Sequence, residues 1–101
     1  MLQWRPMAVG ILTFYLYLPG NSSLKNKRSQ LKPILSRLHR EFNLSVSEMG
    51  HQDSWQEAII ACALINNDQA FIQKVFQQVV HFTESTWPDC NILDQKQEII
   101  I

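Results

Sequence analysis

The chain has 101 residues, with nine Lys and Arg balanced by nine Asp and Glu, and only two Cys. That length suits one domain (1–101) with a single core and leaves little for a deep enclosed pocket beside it. Two cysteines are too few for a disulfide-built secreted scaffold, and ordinary apolar and charged fractions of 46% and 18% argue against disorder. The zero net charge conceals a segregation. Residues 1–40 hold Arg5, Lys25, Lys27, Arg28, Lys32, Arg37 and Arg40 and no acid, whereas residues 41–101 hold all nine acids against Lys74 and Lys96. A +7 segment is therefore joined to a −7 segment. Six of the seven cations lie between Lys25 and Arg40, so one element should be basic, which fits a phosphate-rich or acidic partner.

Met7–Leu18 is apolar but too short to span a bilayer, which takes about 20 residues. Thr13, Tyr15 and Tyr17 alternate with Leu12, Phe14, Leu16 and Leu18. A strand has reason to alternate in this way; the apolar run of a signal peptide has none. The run predicts a central strand in a cytoplasmic protein with no membrane association. Residues 1–6 read as an N-terminal extension. Pro19-Gly20-Asn21 ends the strand, and Ser22 or Ser23 is placed to cap a helix.

On that helix, predicted over Leu24–Phe42, Leu24, Leu31, Leu35, Leu38 and Phe42 fall on one side, with Ile34 near its margin. Lys25, Arg28, Lys32, Ser36, His39 and Arg40 fall opposite. Pro33 removes one rung of the hydrogen-bond ladder and is expected to kink the helix or divide it near Ser29. Asn43 closes it. Leu44–Glu48 alternates like a half-buried strand, and Gly50–Ser54 connects it to Ala58–Ile65, apolar on both faces like a central strand. Asn67 or Asp68 caps a second helix whose Phe71, Ile72, Val75, Phe76, Val79, Val80 and Phe82 recur at helical period. Trp87-Pro88-Asp89 stops it, and Ile92–Ile99 reads as a charged edge strand.

The order βαββαβ, taken as two split βαβ units with right-handed crossovers, gives an α+β, ferredoxin-like fold. Its four-stranded antiparallel sheet has the order 4-1-3-2, with two helices on one face. That order makes the two most apolar strands central and the two polar ones edges, a consistency that the element assignment did not presuppose.

From Met7 onward the chain resembles the YlxP-like family of small bacterial proteins, whose function is unassigned. The likeness is carried by Val9-Gly10-Ile11-Leu12, Pro19-Gly20, Ser23-Leu24-Lys25-Asn26-Lys27-Arg28, Asn43-Leu44-Ser45-Val46-Ser47-Glu48, His51-Gln52-Asp53-Ser54-Trp55-Gln56-Glu57-Ala58 and Asn67-Asp68. The resemblance implies a ferredoxin-like fold. It also implies a connection with RNA or the ribosome, because the family's genes often lie beside those for translation initiation and ribosome maturation.

The topology should bring Ser23, Lys25, Lys27 and Arg28 near Glu48, His51, Asp53 and Trp55. Read functionally, this is a phosphate-recognition pole; read plainly, Lys27 or Arg28 only pairs with Glu48 or Asp53. The plain reading is preferred there, yet Lys25, Lys27, Arg28, Lys32 and Arg40 remain the candidate RNA or phosphate contacts. His39, His51 and His81 are scattered over different elements and no second Cys lies near Cys62 or Cys90, so no metal or cofactor site is expected. A Cys62–Cys90 disulfide is not expected either. Neither GxGxxG nor a Walker loop occurs, and no nucleophile–base pair is evident, so no enzyme activity is expected.

Val9, Ile11, Tyr15 and Tyr17 mark a sheet face that no helix covers, a candidate interface for a homodimer. Base stacking on that sheet is not expected, because the third strand has no aromatic. Trp55 and Trp87 more readily pack over the core edge than anchor a partner. Two functions remain. One is an accessory factor docking its basic helix on structured RNA or the ribosome; the alternative is a dimeric protein–protein or small-ligand-sensing module.

Overall fold

The computed structural model describes residues 6–50 and 53–100. The elements are β1 (Ala8–Tyr17), α1 (Leu24–Phe42), β2 (Ser45–Gly50), β3 (Glu57–Asn66), α2 (Gln69–Thr86) and β4 (Asn91–Ile100). The strands form one antiparallel sheet in the order β2-β3-β1-β4, the expected ferredoxin-like arrangement. No helix of the described residues is long and apolar enough to cross a membrane.

The period-two pattern of β1 separates the two faces. Ala8, Gly10, Leu12, Phe14 and Leu16 are buried beneath the helices, while Val9, Ile11, Thr13, Tyr15 and Tyr17 line the open side at intermediate or greater exposure. Gly10 is required by contact with α2. A Cβ there would lie 2.3 Å from Ile72 Cγ2 and 2.8 Å from Phe76 Cε2, so the helix seats directly on the strand backbone. From the helices, Leu31, Ile34, Leu38, Ile72, Phe76 and Val79 meet Leu12, Phe14, Leu16 and Ile60 in one core. Burying each of the larger side chains stabilises the fold by roughly 1.5–3 kcal/mol relative to exposure.

Ser23 caps α1 by accepting from the Asn26 N–H at 3.1 Å, and Asn43 closes it in the left-handed region at φ 53°. As expected, α1 is one helix over Leu24–Phe42, and Pro33 within it does not divide it. Pro33 lies on the exposed side, where water can serve the Ser29 carbonyl that loses its partner. Asp68 caps α2 by accepting from Ala70 at 2.9 Å and Phe71 at 3.3 Å. The Trp87 N–H ends α2 on the Thr83 carbonyl. Thr83 is a buried polar residue on α2; its hydroxyl is satisfied by the Val79 carbonyl at 2.8 Å.

Two apolar assignments differ from expectation. On α1 the buried stripe runs through Leu31, Ile34 and Leu38, leaving Leu24, Leu35 and Phe42 half-buried at its flank. On α2, Phe71 is 46% exposed because it sits a full 100° from Ile72 in the first turn, beside the stripe.

Candidate interaction surface

The stripe on α1 decides the fate of its cations. Lys27 lies four residues before Leu31, seven before Ile34 and eleven before Leu38, so it points into the core-facing side. Its ammonium is 3.0 Å from the Glu48 carboxylate, with the Lys27 side chain 2% exposed. Lys27 therefore does not belong with the candidate RNA contacts. Helical period forces it inward, and Glu48, projecting from the half-buried side of β2, meets its charge. Helical spacing could have revealed this, had Ile34 been taken as central to the stripe.

Lys25, Arg28, Lys32 and Arg40 are exposed as expected. Among the described residues none of the four is in an ion pair. Arg37 turns to the other flank, 3.6 Å from Glu41, with its guanidinium 5.1 Å from the Phe82 ring centre and 5.8 Å from that of Trp87. Phe82 meets Phe42 and Trp87 edge to face at 5.3 and 5.7 Å, so Trp87 packs over the core edge as expected. Trp55 does not: it is 51% exposed. Ser54 closes that turn by accepting from Gln56 and Glu57 N–H, and burial resumes only at Ala58.

Arg28 and Lys32 have a second setting. With Leu31, Leu35, Ser36, His39, Val46 and Glu48 they line an open groove of about 510 Å³ between α1 and the edge strand β2. Its floor is apolar and its helix rim is cationic. His39 Nδ1 lies 2.5 Å from the Leu44 carbonyl and fixes the end of α1 to the start of β2. At the pole, Lys27, Arg28, Glu48 and Asp53 surround a smaller hollow, so the structure brings these four together; Trp55 lines a different hollow with Asp53, Ser54 and Gln56. His51 and Gln52, and Arg5 and Trp4 of the N-terminal segment, lie outside the described residues.

The open sheet face carries Val9, Ile11, Tyr15 and Tyr17. Ile65 and Ile100 flank Val9 on the neighbouring strands, and Ile59 lies beside Tyr15. Tyr15 is 43%, Ile65 66% and Ile100 57% exposed.

Both cysteines are free and buried. Burial pushes the Cys62 thiol up to about 12. Burial also raises that of Cys90, with a smaller opposing effect of the hydrogen bond from Gln30. That bond belongs to a chain the sequence did not reveal: Asn21 donates to the Leu18 carbonyl and to Gln30 Oε1, and Gln30 donates to Cys90 Sγ at 3.4 Å. It ties the turn after β1 and helix α1 to the start of β4.

Among known proteins, the "Uncharacterized protein YlxP" of Bacillus subtilis (strain 168) is 41% identical over 63 residues, covering 62% of this chain and 68% of that one. Among solved structures, "De novo designed protein Foldit4" superposes over 94% of this chain and 97% of its own at a TM-score of 0.54 and 11% identity, a likeness of fold alone. SnoaB, a cofactor-independent oxygenase from Streptomyces nogalater, covers 94% of this chain and 91% of its own at a TM-score of 0.46 and 8% identity, too remote to bear on chemistry. The model of one family matches residues 9–97, and the chain accordingly belongs to the family described as "Protein of unknown function (DUF503)".

Proposed function

We propose that this protein is a non-enzymatic accessory factor that docks the exposed face of α1 on structured RNA, with the ribosome as the setting implied by the gene context of YlxP-like proteins. One observation carries the reading. Lys25, Arg28, Lys32 and Arg40 form an exposed cationic face with no acid paired to them among the described residues, while Lys27 is withdrawn to the core side and Glu48 with it. Such a face meets phosphates without disturbing the packing beneath it, and it positions the protein without reading bases. The test is salt titration of RNA binding. Four phosphate contacts give a slope of log affinity against log salt of about −3. A slope near zero would remove the basis of the reading.

A second reading is supported by the row Ile65, Val9 and Ile100 with Tyr15 on the open face: self-association of two copies through the sheet. An apolar, contiguous patch of this kind marks interfaces more often than free surface.

A further inference from the structure

The two edges of the sheet are finished differently. β4 carries Asp94, Lys96 and Glu98, with Lys96 and Glu98 joined at 3.2 Å, and such charges keep another strand from pairing with it. β2, Ser45–Gly50, has no Lys, Arg or Pro, and its one charged side chain, Glu48, is engaged by Lys27. Its edge devices, the inward-pointing Glu48 and a register shift between Glu48 and Gly50, both lie toward its far end and leave Ser45–Ser47 without one. The backbone groups of β2 that point away from β3 are thus left accessible to another strand.

A strand laid along that edge would send alternate side chains to opposite faces. The helix face has a hollow to receive one set. On the helix side is the groove with Leu31, Leu35 and Val46 as floor and Arg28 and Lys32 as rim. On the open side, Ser45, Ser47 and Met49 border an apolar trough of about 360 Å³ that runs inward from β2 over Ala61 and Ala63 of β3 to Ile11 of β1. A bare edge with a cationic groove on its helix side matches an added strand better than it matches a nucleic acid, which has no backbone donors to complete a sheet.

We propose that the β2 edge takes an extended acidic peptide as a fifth strand, with acidic side chains meeting Arg28 and Lys32 and apolar ones on the open side beside Ser45 and Ser47. Charge selects this occupant. A second copy paired β2 to β2 would bring two cationic helix rims together, whereas acidic side chains neutralise the one rim present. Main-chain hydrogen bonds supply affinity and the cationic groove supplies specificity, as in other strand-addition sites. This site does not depend on RNA docking, which also uses Lys25 and Arg40 away from the groove.

The test uses the full chain and a capped peptide of alternating glutamate and valine, about the six residues of β2 in length. Binding is read from the backbone amide shifts of Ser45–Gly50. Two further peptides carry N-methyl groups on alternate residues, one on each parity. Strand addition predicts that one parity binds like the parent and the other loses at least about tenfold, because only one set of N–H groups faces β2. Arg28→Glu with Lys32→Glu should weaken the parent peptide by about tenfold or more at low salt without lowering Tm. Equal binding of both methylated peptides would mean charge adsorption only and overturn the proposal. So would absence of binding at about 1 mM peptide, or β2 shifts produced by an RNA oligonucleotide and not by the peptide.

Discussion

Lys27 Nζ and Glu48 Oε2 stand 3.0 Å apart, joining helix α1 to the edge strand β2 through side chains that are 2% and 19% exposed. The asymmetry is one of degree: Glu48 Oε2 is itself buried, but the rest of its side chain reaches the surface, whereas Lys27 is enclosed throughout.

Glu48→Gln is accordingly expected to cost more than Lys27→Met. Removing the carboxylate charge takes away one opposite charge from a buried ammonium and should cost about 1–3 kcal/mol, while the double substitution should recover part of that loss. Urea unfolding of the three variants measures the order. Equal losses for both single variants would show that the pair behaves as an exposed one.

Gly10→Ala should destabilise the fold by about 1–3 kcal/mol, since the new methyl meets Ile72 and Phe76 well inside contact distance. In a domain of this size that lowers Tm by at least about 4 °C, read by thermal melting.

Cys62 and Cys90 should react slowly with thiol reagents at pH 8 in the native protein and rapidly once it is unfolded. Both thiols are buried and burial raises both above the ordinary 9.0, Cys62 to about 12. The sign for stability follows. Above pH 9 the unfolded chain releases a Cys62 proton that the folded chain keeps, so the contribution is full below 9 and is lost as pH rises toward about 12. Replacing Cys62 with Ala should flatten that part of the stability profile.

Ile11→Lys tests the open sheet face. Self-association there predicts a shift toward monomer in sedimentation at high micromolar concentration, because an unpaired charge at a dry interface costs several kcal/mol. Wild-type protein that sediments as a monomer under the same conditions contradicts the second reading.

The fold was legible because three independent signals agreed: alternation in β1, helical period in α1 and α2, and turn or capping residues at Gly20, Ser23, Asn43 and Asp68. Edge and centre could be told apart because central strands are apolar on both faces. The cationic face was equally plain from Lys25, Arg28, Lys32 and Arg40. Lys27 was misplaced because a charged residue was read by type, while its i+4, i+7 and i+11 neighbours placed it inside. The Asn21–Gln30–Cys90 chain and the α1–β2 groove were not legible. Both depend on how elements far apart in sequence approach one another, which periodicity within one element does not encode.

RNA docking through α1 is tested most directly by co-sedimentation of a Lys25/Arg28/Lys32/Arg40 charge-reversed protein with ribosomes or structured RNA, alongside its melting temperature. The four side chains are exposed and, among the described residues, in no ion pair, so their reversal should abolish co-sedimentation while leaving Tm nearly unchanged. A reversed protein that melts like wild type and still co-sediments as wild type does would contradict the claim and reduce the basic face of α1 to a solvated surface.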